Sequence, residues 1–349
     1  GLFISLIILS KSFRKYGTSV KALTIAQWIG NRYNSRSFTY MMAVVSLLLI
    51  TFIVLICVGL TKVLASALQV GELPVLIVLV FFVFGYTMFG GANSMVYTNT
   101  IQAVLMAIVA IILLTSGLEN FTDGIEGFWS KLDGIDPLLT QTFNPKSPLF
   151  RDWFEVIFCN FVVGIAIVCQ PHIITKSLML KSEQDINRYL FIAIAVEILF
   201  FAVLFVGFYA RLQFPDLMVD QKAMKLDGIL STYVVKNFSI GVGILVVLGL
   251  ISAGLSTLEG IIQSLSTTIS NDIIAPMLRW NPGDKSVAIT NKIVIVILGV
   301  ISIAFSYQQL LYPNLSVGII AQNGVYAYFS AAFVPVLFGV FLKEPSKNA

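Results

Sequence analysis

The feature that most constrains this chain is the recurrence of apolar runs long enough to cross a bilayer. Windows near 38–68, 74–90, 94–117, 153–177, 184–213, 238–272, 289–308 and 314–342 approach or exceed the ~20 residues that a helix needs to span the hydrocarbon. A further run at 1–13 brings the expectation to nine membrane helices. Charged residues make up only 11% of the chain and apolar residues 57%, whereas ~25% charged is usual in a soluble domain. The class expected is an all-α, multi-pass integral protein of the cell membrane, with the bilayer as its first partner and residues 1–349 as one transmembrane domain. Several windows are longer than a perpendicular crossing requires, which predicts tilt or extension beyond the bilayer. The two longest connections, 118–152 and 214–237, are rich in Asp, Gly and Pro, and neither has room for a soluble domain.

The chain starts at Gly1 inside the short apolar run GLFISLIILS. This reads as a truncated first helix of a chain that is incomplete at its N-terminus and at its C-terminus. No basic segment precedes that run, so a signal peptide is not expected. If the first run passes from outside to inside, most of the 22 Lys and Arg fall on the inner side, as the bias of basic residues against translocation requires. Nucleic acid binding is not indicated. Cys57, Cys159 and Cys169 lie within apolar runs without metal-ligand spacing, which is the pattern of small buried residues.

Three segments carry polar groups that a membrane helix does not need. In ISAGLSTLEGIIQSLSTT, residues 251–268, helical geometry sets the Ala253 carbonyl one turn below the Ser256 and Thr257 hydroxyls, on one face. Three neutral oxygens suit a weakly held hard cation such as Na⁺ when another element completes the shell. Close helix packing by small residues, with hydroxyls bonded to the preceding turn, is the alternative. In FGYTMFGGANSMVYTNTIQAVLM, Gly90 and Gly91 form a hinge between two apolar segments, the second of which opens with Tyr97, Thr98, Asn99, Thr100 and Gln102. In FVVGIAIVCQPHIITKSLMLKSEQD, Pro171 frees a carbonyl near Ile167, and His172, the single histidine, reads as a structural, hydrogen-bonded residue. Two carboxylates, Glu197 and Glu259, sit inside apolar helices, where a charge costs ~2.5–3.5 kcal/mol. Each is therefore a functional candidate.

In order and spacing, ALTIAQWIGNRYNSRS, YTMFGGANSMVYTNTIQAVLM, QPHIITKSLMLKSEQD and ISAGLSTLEGIIQSLSTTISNDI together resemble the sodium:solute symporter family. The resemblance implies part of a five-plus-five inverted-repeat (LeuT-like) fold, with substrate and ion near the midplane. On that template the chain begins in the second core helix. It also implies a secondary transporter, not an enzyme, that couples Na⁺ influx to uptake of a small organic solute by alternating access. The Na⁺ ligands it implies are Ala253, Ser256 and Thr257. A second Na⁺ found in some members is expected to be absent, because the family's aspartate position is Asn99 and its hydroxyl positions are Leu258 and Glu259.

For the solute, Gln170 and Pro171 match the branch that includes proline and pantothenate carriers. Ile167 and Val163 occupy positions that are aromatic in proline carriers, which argues against proline. Gln322 or Asn323 falls where related carriers contact substrate. The expected solute is an amino acid, pantothenate or another small organic acid, with Glu259 as a candidate coupling residue. A transporter-like input module of a membrane sensor is the other reading. The residues show no cluster of acid, base and nucleophile that would indicate an enzyme.

Overall fold

The computed structural model describes residues 1–17, 22–147, 150–169, 182–219, 222–224, 228–280, 285–313 and 317–342. These are almost wholly helical. In chain order the helices are α1 (Leu2–Gly17), α2 (Ile25–Arg32), α3 (Arg36–Ser46), α4 (Ile50–Leu68), α5 (Glu72–Thr115), α6 (Gly124–Ile135) and α7 (Asn160–Ile167). They continue as α8 (Glu183–Ala202), α9 (Phe205–Gln213), α10 (Ile229–Asn237), α11 (Ile240–Thr268), α12 (Ala275–Leu278), α13 (Lys285–Leu311) and α14 (Val317–Phe341). A π-helical turn at Phe154–Cys159 leads into α7, and another at Ile269–Ile274 joins α11 to α12. The exception among the described residues is a two-residue antiparallel ribbon that pairs Met218 with Ala223 and Val219 with Lys222.

Among the described residues, seven stretches are long and apolar enough to cross a membrane: Arg36–Leu68, Glu72–Phe89, Tyr97–Thr115, Glu183–Gln213, Ile240–Leu278, Lys285–Leu311 and Val317–Phe341. The other two windows, 1–13 and 153–177, hold the shorter apolar helices Leu2–Lys11 and Phe154–Ile167. The outer surface of these helices is as apolar as their packed faces. Phe81 is 82% exposed and Ile240 86%, a condition that hydrocarbon accepts and water does not. The protein is a multi-pass membrane protein.

The windows 74–90 and 94–117 were expected as two helices joined at Gly90 and Gly91. The structure instead has one helical element of 44 residues, α5. Glycine keeps its amide donor, so it weakens a helix by only ~1 kcal/mol without breaking the hydrogen-bond ladder. Tyr86 reaches Glu259 on α11, while Val109 packs against Gly249 of the same helix. Those contacts are on the order of 35 Å apart along α5 and on the order of 15 Å apart along α11, at ~1.5 Å per residue. The long helix therefore bends between Tyr86 and Val109.

Local signals set the helix ends. Thr24 caps α2 by accepting the Gln27 amide at 3.0 Å, and Ser182 and Asp185 form a reciprocal capping box at the start of α8. Between α2 and α3 the chain reverses at Asn34, whose φ of 48° is left-handed, a conformation Asn tolerates better than most residues. The core lies around α11, which packs against α4, α5 and α13, while α14 packs against α4 and α7. A second, smaller cluster gathers Val109, Leu113, Phe128, Tyr209, Tyr233 and Val246. Within it the Ser116 and Tyr233 hydroxyls are 2.9 Å apart.

Candidate functional site

The turn of α11 that the sequence singled out is built as helical spacing requires. Ser256 Oγ donates to the Ala253 carbonyl at 3.0 Å, and Thr257 Oγ1 donates to the same carbonyl at 3.1 Å. All three oxygens converge on one half-buried face. Because each hydroxyl directs its proton back at the helix, its lone pairs point away from it and remain able to accept a cation. The same hydrogen bonds also satisfy the packing alternative, so both readings describe this turn in isolation. Gly254 lets α4 approach closely here: a Cβ at this position would fall 2.6 Å from Leu60 Cδ1. Among the described residues, no three or more His, Cys, Asp or Glu are grouped to hold a metal ion. The donors on offer are neutral oxygens, the type a readily released alkali cation uses.

Glu259 lies on the next turn and faces α5. It is 1% exposed; the Tyr86 hydroxyl donates to its Oε1, and Oε2 has no hydrogen-bond partner among the described residues. Asn99 Oδ1 and Gln102 Oε1, on the far half of α5, are also buried acceptors without a donor among the described residues. Glu197 on α8 is half-buried, with Oε2 likewise unpartnered among the described residues.

The expected solute residues divide into two groups. Gln170 and Pro171, with His172, lie outside the described residues. Val163 and Ile167 are on α7, partly buried against the core. Gln322 and Asn323 are on α14, the first half-buried and the second exposed. Since α7 and α14 pack together, the structure brings the two helices that carry these four residues side by side. The adjacent Ala321 carbonyl accepts from Thr51 of α4 at 3.4 Å.

A cavity of about 310 Å³ opens instead between α4, α10 and α11, bounded by Leu55, Gly59, Lys62, Ser231, Leu250 and Gly254. None of the expected solute residues lines it. Its wall includes Gly254, which belongs to the hydroxyl turn.

Sequence reasoning gave no role to Asp272. Its carboxylate, 3% exposed, accepts from Thr24 Oγ1 at 2.5 Å and from Gln27 Nε2 at 2.7 Å. It thereby ties the π-helical turn after α11 to the start of α2. Nearby, Arg32 donates to the carbonyls of Gly339 at 2.7 Å and Leu342 at 2.5 Å, and the Tyr33 hydroxyl donates to the Pro335 carbonyl at 3.0 Å. Burial pushes the Tyr33 phenol above its ordinary value, with Arg32 opposing in part. The available signal was the Thr24-to-Gln27 spacing, which marks a helix start; the partner 248 residues away carries no such mark.

The model of the sodium:solute symporter family matches residues 1–348. A sodium/pantothenate symporter of Haemophilus influenzae is 26% identical over 304 residues, 85% of this chain and 60% of that protein. The high-affinity proline transporter PutP of Bacillus subtilis is 24% identical over 276 residues, 76% of this chain and 54% of its own length. The chain thus spans little more than half the length of these relatives. In fold it is similar to a Na⁺-coupled sialic acid symporter in a substrate-bound, outward-open state, with a TM-score of 0.68 and 17% identity, covering 98% of this chain and 73% of that one.

Proposed function

The chain belongs to the sodium:solute symporter family, a family of transporters, and from that premise we propose that it couples Na⁺ entry to uptake of a small organic solute by alternating access. The observation that carries this reading is the convergence of the Ala253 carbonyl with the Ser256 and Thr257 hydroxyls on α11. Na⁺ held by these three neutral oxygens and by ligands from another helix would bind from outside and be released inside. A carboxylate ligand would hold the ion more tightly and slow its departure, whereas neutral oxygens allow it to leave.

The energetics suit one ion per cycle. Each charge that crosses gains ~2.3 kcal/mol per 100 mV, and each tenfold accumulation of solute requires ~1.4 kcal/mol. One Na⁺ therefore supports ~40-fold accumulation of a neutral solute from that potential alone. The relatives named for pantothenate and proline support a small organic acid or amino acid as the solute. Val163, Ile167, Gln322 and Asn323, with Gln170 and Pro171, are the candidate pocket, within the five-plus-five inverted-repeat arrangement that the fold similarity supports.

Uptake into proteoliposomes holding the full-length protein tests this, with an imposed Na⁺ gradient, K⁺ as control, and labelled amino acids, pantothenate, monocarboxylates and sugars. Ser256→Ala and Thr257→Ala should each raise the Na⁺ concentration for half-maximal uptake about tenfold, the equivalent of one lost ligand interaction of ~1.4 kcal/mol. Wild-type Na⁺ dependence in both variants would remove the site from this turn.

A further inference from the structure

A second cavity lies between the first half of α5 and α13, and neither the hydroxyl turn nor any expected solute residue lines it. It is a groove of about 240 Å³ whose walls run from Ile77 to Met88 on α5 and from Ile295 to Ile303 on α13, with no polar side chain among them. At ~1.5 Å per residue those walls are about 12–16 Å long, close to one leaflet's share of a ~30 Å hydrocarbon core. Two glycines shape the groove. Gly299 lets the helices approach, since a Cβ there would lie 3.3 Å from Phe84 Cδ1, whereas a Cβ on Gly85 would meet nothing within 4 Å and so marks open space. Phe81, Val296 and Val300 are exposed along its walls, so the groove opens to the bilayer.

One end of the groove carries a cation. Lys292 Nζ stands 5.3 Å from the centre of the Phe89 ring, and Phe89 is the last residue of the apolar span Glu72–Phe89. Gly299 faces Phe84 while Lys292 faces Phe89, so the two helices run antiparallel and the ammonium sits just beyond the Met88 and Ile295 end. The ring attracts the charge to this spot but leaves its N–H donors free for oxygen acceptors. Among the described residues Lys292 has no ion-pair or hydrogen-bond partner. Lys285, two turns earlier on the same side of α13, is exposed as well.

A positive charge at the end of a span, with an apolar groove of leaflet length running inward from it, is complementary to both parts of an anionic lipid. The phosphate meets the ammonium at the interface, and one acyl chain follows the groove. A zwitterionic lipid has the same chain but gains no net attraction from the lysine. We propose that the groove between α5 and α13 is a binding site for an anionic phospholipid, with Lys292 holding the headgroup phosphate and Gly85 keeping room for the acyl chain. Neither the Na⁺ oxygens nor the solute pocket takes part, so this site stands independently of transport.

The test is photolabelling of the purified full-length protein in mixed micelles by phosphatidylglycerol or phosphatidylcholine, each with a diazirine in one acyl chain, followed by peptide mass spectrometry. Phosphatidylglycerol should label 77–88 and 295–303 saturably, at a concentration about fivefold lower than phosphatidylcholine requires, the equivalent of ~1 kcal/mol for one lysine near the surface. Lys292→Gln should remove that preference, and Lys292→Arg should retain it because the charge remains. Gly85→Leu should reduce labelling by both lipids, since its side chain enters the open groove. Glycerol 1-phosphate, which carries the headgroup chemistry without a chain, should not compete.

Equal labelling by the two lipids in the wild type would show ordinary contact with the surrounding bilayer and would overturn the proposal. A preference that survives Lys292→Gln would place the headgroup on another residue and do the same. So would wild-type labelling in Gly85→Leu, or competition by glycerol 1-phosphate, because either separates binding from the groove. Absence of label on these two segments, with the groove covered by another part of the full-length chain or by a second copy, would also refute it.

Discussion

Thr24 should be worth more to the folded protein than its position before an eight-residue helix suggests. Its Oγ1 accepts the Gln27 amide at 3.0 Å and donates to Asp272 at 2.5 Å, so Thr24→Val removes a helix cap and leaves a buried carboxylate oxygen without its donor. The cap contributes ~1 kcal/mol and the bond to the carboxylate ~1.5–3 kcal/mol. Together they predict a loss of about 2.5–4 kcal/mol, while Thr24→Ser keeps both interactions and should cost under ~0.5 kcal/mol. Asp272→Leu alone strands the buried Thr24 hydroxyl, but Gln27 is only half-buried and can turn to water. In the double variant Thr24→Val/Asp272→Leu no polar atom of this pair remains to be stranded, so the two losses should fall short of additivity by ~2 kcal/mol. Equilibrium unfolding of the four proteins in mixed micelles measures that coupling. Additivity within ~0.5 kcal/mol, or a Thr24→Val variant as stable as wild type, would refute the view that Asp272 clamps α2 to the end of α11.

Three further outcomes follow from the packing. Tyr86→Phe strands the Glu259 carboxyl, which Tyr86 alone partners among the described residues, and should cost ~1–3 kcal/mol; Tyr86→Phe/Glu259→Leu should recover most of it in the same unfolding assay. Gly254→Val should fold poorly, since its Cβ would sit 2.6–2.7 Å from three atoms of the Leu60 side chain, and Leu60→Ala should restore part of the yield, read as monodisperse protein after extraction. Brief treatment of the native protein with a maleimide should modify Cys159, which is partly accessible, before the fully buried Cys57 and Cys169, as peptide mass spectrometry will show.

The hydroxyl turn of α11 was legible because it is local. Residues 253, 256 and 257 share a face in any α-helix, and the distances from Ser256 and Thr257 to Ala253 are those that spacing imposes. The helix start at Thr24 was marked in the same way, by a cap and the residue three positions on. Glu259 could be identified as costly in lipid, but its partner could not, because Tyr86 is 173 residues distant and sits in an aromatic-rich run. The Gly-Gly hinge was half right: helical hydrogen bonding continues through it, and the contacts of Tyr86 and Val109 still require α5 to bend.

The sequence alone determined that the chain lives in a membrane, roughly where its helices run, and which turn presents convergent oxygens. Each follows from hydropathy or from the 3.6-residue repeat, and both are properties of short stretches. Tertiary structure decided which faces meet: Glu259 with Tyr86, Asp272 with Thr24 and Gln27, α7 with α14, and the cavity beside Lys62. In water an apolar stripe shows which side of a helix is buried. In lipid the outer face is as apolar as the packed one, so that contrast is lost, and helix partners are chosen by close fit between small residues and by scattered polar contacts.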